Sequence, residues 1–111
     1  MTNTNITNGP SDSYNIVTQW GTKGNGEGQF SGLNDVIVTT DNSIFVPDYE
    51  NHRIQKFLPD GQFVSKWGSE GTGNSQFLHP HGLDVDAEGN VYVTDAELLD
   101  IQKFTIGETK D

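Results

Sequence analysis

The sequence predicts an all-β chain built from two copies of one four-stranded unit, and three observations predict it. Apolar and polar residues alternate over short runs, which is the period of half-buried strands. Turn residues separate the runs, and no segment shows a helical period. Residues 20–57 recur as residues 67–104 at a constant offset of 47, with no gap. The offset pairs Trp20 with Trp67, Gln29-Phe30 with Gln76-Phe77, Val46 with Val93, Asp48 with Asp95, and Ile54-Gln55-Lys56-Phe57 with Ile101-Gln102-Lys103-Phe104. A repeat period in the forties points to a solenoid or a propeller.

From the N-terminus, residues 1–13 are polar and low in complexity, and are expected to be a disordered lead or an expression remnant. Residues 14–20 align at the same offset with residues 61–67 and are expected to form an outer strand. The glycine-rich stretch 20–30 follows. Its glycines invite a phosphate-cradle reading, but no helix and no P-loop lysine close the motif, and the stretch returns as residues 67–77. It is therefore read as scaffold, carrying the chain from an outer strand sharply inward to the next unit, a path that glycine permits.

Copy one then offers strands at residues 34–39, 43–48, 53–58 and 62–67. Their turns are Thr40-Asp41-Asn42, residues 49–52, and Pro59-Asp60-Gly61, where proline presets φ and glycine accepts a positive one. Copy two offers residues 81–86, 90–95 and 100–105, with Glu88-Gly89 as its first tight turn. The tail, residues 106–111, is too short and polar for a fourth strand.

The strand order is thus one outer strand, a complete four-stranded unit, and a unit without its outer strand. Propellers close their ring in this way, a strand from one terminus completing the blade at the other. Two blades cannot close on themselves; they leave radial faces and a strand edge uncovered. The chain is expected to be either a fragment of a longer protein or a head-to-tail homo-oligomer in which each N-terminal strand completes a neighbour's second blade. Three chains would supply six four-stranded blades, so a homotrimer is the expected assembly.

Composition narrows the partners. With 32% hydrophobic residues the core must be thin. Sixteen acidic residues against six basic give a formal charge of −10, which opposes phosphate backbones and anionic membranes, so neither nucleic acid nor membrane is an expected partner. There is no cysteine for a disulfide or a thiolate metal site. The N-terminus lacks a basic n-region and an apolar core, so a soluble, cytoplasmic protein is expected if the chain is the whole gene product.

Several motifs stand in a fixed order: the glycine-rich linker closing on Gln-Phe in both copies, the Pro80-His81-Gly82 step into a strand, the acidic-Gly turn Glu88-Gly89, Tyr92-Val93-Thr94-Asp95, and Asn51-His52-Arg53-Ile54 before an aromatic. In these the chain resembles the NHL-repeat family over residues 14–105. The resemblance implies a propeller, usually of six blades. Copy one departs from the pattern at residues 32–35, which lack Pro-x-Gly, and copy two at Leu98-Leu99-Asp100, which replace Asn-His-Arg.

The candidate sites follow. Trp20, Phe30, Trp67 and Phe77 are expected to pack between blades, since large rings bury much apolar area. Asp48 and Arg53 flank a turn at a spacing that suits a local carboxylate–guanidinium clasp, with no base or nucleophile beside it for catalysis. Residues 84–95 imitate a calcium loop in their oxygen spacing, but strands flank them and copy one carries Ile37 and Thr39 at the first two ligand positions. His81, at the start of an inner strand, is expected to face the central channel. Resemblance to the peptidylglycine amidating lyases, which hold zinc with three histidines at such positions, makes it a candidate zinc ligand, one per chain around a three-fold axis. The leading expectation is a non-enzymatic module binding a protein or peptide through a loop face that carries Tyr49, Glu50, His52, Glu97, Leu98 and Leu99, with no cofactor. The alternative is a zinc-dependent lyase or hydrolase built around His81.

Overall fold

The computed structural model of the chain describes residues 12–105. The expected lead falls outside these residues up to position 11, and the tail entirely. The elements, in chain order, are β1 (Thr22–Lys23), β2 (Gln29–Phe30), β3 (Ile37–Val38), β4 (Ile44–Asp48), a 3-10 turn (Tyr49–Asn51), β5 (Arg53–Phe57), β6 (Phe63–Trp67), β7 (Ser69–Glu70), β8 (Gln76–Phe77), β9 (Pro80–Val85), β10 (Val91–Asp95) and β11 (Asp100–Phe104). The described residues are all-β apart from that single turn, which is short enough to leave no periodic signal in the sequence.

Antiparallel strands β3-β4-β5-β6 make the first blade and β9-β10-β11 the second, while β1-β2 and β7-β8 are short parallel ribbons within the glycine-rich loops. The 47-residue offset maps β4 onto β10 and β5 onto β11 end to end. Even the strand ladders repeat: Asp48 faces Arg53 as Asp95 faces Asp100, and Ile44 faces Phe57 as Val91 faces Phe104.

Residues 14–20 form no ladder with any strand of their own chain. Tyr14, Ile16 and Val17 are 78–95% exposed, so an outer strand is not formed within the single chain, and in particular the segment does not fold back to complete the second blade. The reason is reach: Trp20 is held on blade one, in contact with Phe57, whereas the open edge belongs to β11 of blade two.

Two cores result. Between the blades, Phe45 and Ile54 of blade one meet Phe77, Leu83, Val91 and Val93 of blade two, with Trp67 seated between Phe45 and Phe104. On the opposite face of blade one, Ile44, Val46 and Phe57 are packed, among the described residues, against the partly buried Trp20, Phe30 and Phe63. Trp67 and Phe77 thus lie at the joint, while Trp20 and Phe30 pack against blade one alone.

The offset makes an internal comparison available. Leu83 is 6% exposed behind blade one, whereas its counterpart Val36 is 57% exposed; Ile54 is fully buried, whereas its counterpart Ile101 is 67% exposed. The inner strand of copy one is correspondingly reduced to β3 plus a single bridge, Leu33 to Asp48, short of the expected residues 34–39. Packing from a second sheet is what holds β9 at full length, since isolated strand edges gain little on their own.

Candidate functional site

The glycine-rich loops and the turns after β4 and β10 lie together on one face of the blades. What holds the loops there is a set of glutamine side chains that recurs in both copies. Gln55 Nε2 donates to the carbonyl of Gln29 at 2.7 Å, and Gln102 Nε2 to that of Gln76 at 2.9 Å. The Gly28 N–H donates to Gln55 Oε1 and the Ser75 N–H to Gln102 Oε1, each at 2.9 Å. Within each loop, Gln29 Oε1 accepts from the Gly26 N–H and Gln76 Oε1 from the Gly73 N–H. Gly24 and Gly71 have φ of +151° and +157°, and a Cβ on either would come within 2.3 Å of its glutamine Oε1, so a side chain there would displace the glutamine amide from the loop as well as strain the backbone. These inward-turned polar contacts use the loop to build the blade. They answer the phosphate-cradle reading: the loop N–H groups of Gly26, Gly28, Gly73 and Ser75 already have glutamine acceptors.

The expected pair of Asp48 and Arg53 is an ion pair set within a more extended network. The two residues are directly opposed across β4 and β5, yet Asp48 Oδ2 and Arg53 Nη2 are 3.8 Å apart, beyond a charge-assisted hydrogen bond. Arg53 instead donates to the carbonyls of Asn25, Gly26 and Gln29 at 2.7–2.9 Å, which its planar fork can span. Asp48 accepts from the N–H groups of Ser31 and Gly32 and from Asn51 Nδ2. Both side chains are buried, so each ties a separate part of the loop to the blade.

Blade two keeps half of this. Asp95 accepts from the N–H groups of Leu78, His79, Glu97 and Leu98, but Asp100 stands where Arg53 does and leaves the loop without a guanidinium. Burial pushes the Asp95 carboxyl up, and the four backbone donors more than offset it, so its pKa lies below the usual aspartate value. The calcium-like spacing resolves in the same way. Asp86 accepts from the Glu88 and Asn90 N–H groups and from the Tyr92 hydroxyl, and Asp84 from the Val85 N–H, so these carboxylates serve separate donors in the turn and strand.

His81 is exposed at the start of β9, and its Nδ1 meets Asn34 Nδ2 of the first blade. These two residues are counterparts under the offset, so equivalent positions of adjacent blades touch. Among the described residues no group of three or more His, Cys, Asp or Glu side chains is arranged to hold a metal ion.

Of the six loop-face residues, Glu50, Glu97 and Leu99 are exposed, and Tyr49, His52 and Leu98 are half-buried. Tyr49 stacks on His79 of blade two with ring centroids 4.5 Å apart and planes 10° from parallel. His52, expected on the partner-binding loop face, places Nδ1 2.9 Å from the Leu78 carbonyl. Both side chains therefore bridge the blades. Sequence reasoning missed the Tyr49–His79 stack because the residues lie thirty positions apart in unlike parts of the repeat; the one available signal was that each differs from its counterpart, Ala96 and Gly32. Leu99 is 85% exposed at φ +59°, a left-handed conformation uncommon for leucine.

Compared with known protein families, the chain matches the one described as NHL repeat, twice, over residues 30–57 and 77–104. No curated protein matches it. Among the described residues, no helix is long and apolar enough to cross a membrane.

Proposed function

The chain belongs to the NHL-repeat family, and from that premise we infer that it works as a non-enzymatic β-propeller scaffold for protein interaction, assembled head to tail from copies that exchange their N-terminal strand. One observation carries this reading. Apolar positions buried at the joint between the two blades have counterparts that are open on the outer faces, Val36 for Leu83 and Ile101 for Ile54, so the molecule presents two unsatisfied halves of a joint it already makes once. A ring of three copies gives six blades and leaves neither half exposed. Light scattering at micromolar concentration is expected to give three times the chain mass; a folded species of one chain mass would count against the assembly.

The loop face of that ring offers Glu50, Glu97 and Leu98 on rigid turns to a protein or peptide. The formal charge of −10 per chain favours a basic partner. Replacing Glu50 and Glu97 with lysine together should weaken binding of an arginine-rich peptide at least about tenfold in low salt, with the solution mass unchanged. Fluorescence anisotropy measures this, and equal affinity for both proteins would remove the face from consideration.

A further inference from the structure

The joint inside the chain specifies the joint between chains, down to the register. In blade one the outer strand β6 pairs with β5 as Ile54 to Trp67, Gln55 to Lys66, Lys56 to Ser65 and Phe57 to Phe63, with an irregularity that leaves Val64 unpaired. Blade two repeats β5 as β11, position for position with Asp100 in place of Arg53, and among the described residues no strand pairs beyond it. Subtracting 47 from each β6 position gives Trp20, Gln19, Thr18 and Ile16, with Val17 at the irregular place. Those residues lie without a ladder in the single chain, and Ile16 and Val17 are 78% and 95% exposed.

Trp20 shows which side is waiting. Trp67 sits between two rings, 5.4 Å from Phe104 of the blade it leads into and 6.2 Å from Phe45 of the blade it belongs to. Trp20 has the first partner, Phe57 at 5.8 Å, and lacks the second. The counterpart of Phe45 is Tyr92, and the two already match in detail: Lys56 lies over the Phe45 ring at 5.5 Å and Lys103 over the Tyr92 ring at 5.4 Å. Beside Trp20 is an open groove of about 630 Å³, lined by Trp20, Phe30, Leu33, Val36 and Val46. In blade two the counterparts of the last four, Phe77, Pro80, Leu83 and Val93, are buried against blade one.

We propose that a second copy of this chain fills both vacancies at once. Its residues 16–20 add antiparallel to β11 of the first copy, with Trp20 opposite Ile101, Gln19 opposite Gln102, Thr18 opposite Lys103 and Ile16 opposite Phe104. Tyr92 and Ile101 of the first copy then cover the groove of the second, and Trp20 acquires its missing ring. Leu99 lies on the same border, as the counterpart of His52, which already contacts the neighbouring blade. Its exposure in the single chain therefore serves the joint between copies, in place of a foreign partner. The register is tightly specified because a one-residue slip turns every side chain of the added strand to the wrong face.

This inference rests on the head-to-tail assembly proposed above, and the test separates the two. The chain has no cysteine, so pairs can be introduced on a clean background. Thr18→Cys with Lys103→Cys places thiols on opposed residues that are both exposed in the single chain. Val17→Cys with Lys103→Cys is one residue out of register. Under mild oxidation the first protein is expected to run as covalent dimers and closed trimers on a denaturing gel, and the second to remain single chains. A three-chain mass in solution with no cross-link in the first protein, or with equal cross-linking in both, overturns the register and leaves the assembly standing. A one-chain mass overturns both, as does a disulfide formed within single chains. Hydrogen exchange supplies a check without mutation: the amides of Ile16 to Gln19 should be protected when the protein is concentrated and lose that protection on dilution. Equal exchange at both concentrations, with the three-chain mass present only at the higher one, would also overturn the pairing.

Discussion

Asp48→Ala should destabilise the chain by about 3–5 kcal/mol, the cost of removing one partner of a buried charged network. The Asp48 side chain is fully buried. Its loss strands the Ser31 and Gly32 N–H groups and the Asn51 amide, and leaves the Arg53 guanidinium, 8% exposed, with no carboxylate nearby. A domain of this size has a total stability of only about 5–15 kcal/mol, so the variant should be largely unfolded or close to it. Urea unfolding followed by tryptophan fluorescence measures the change. A loss below about 1 kcal/mol would show that water replaces these contacts easily and that the carboxylate does not hold the loop.

Phe77→Ala is the second large effect, also about 3–5 kcal/mol, because it empties a fully buried ring site in the core between the blades. Its counterpart makes a sharper comparison. Phe30 is only half-buried in the single chain, where it packs on Phe57 with centroids 5.8 Å apart, much as Phe77 packs on Phe104 at 5.9 Å. Under dilute conditions that give one-chain mass, Phe30→Ala should therefore cost clearly less than Phe77→Ala. In the proposed ring the groove around Phe30 would be covered, and the two costs should then converge. Unequal costs in a ring of confirmed three-chain mass would mean that the outer face of blade one stays open there.

Much of this architecture was legible before any coordinates. The constant offset located β4, β5, β10 and β11 to within a residue or two, since period-2 alternation and turn chemistry are local properties that each repeat states twice. The scaffold role of the glycine-rich loops was legible for the same reason. The identity of the ties was not. Gln55 and Gln102 read as ordinary strand residues, yet they reach loop atoms more than twenty positions away. Asp48 and Arg53, which spacing pairs with each other, also reach separate loop segments, because several backbone groups there would otherwise be buried without partners.

The amino-acid sequence by itself determined the repeat, the order of the strands within the two blades, and the family, because these depend on neighbours along the chain. Only the tertiary structure decided which copies of a repeated residue are satisfied. Ile54 and Ile101 occupy the same place in the same motif, yet one is fully buried and the other 67% exposed. Burial depends on what stands across the joint, and within a single chain a second sheet stands across only one of them.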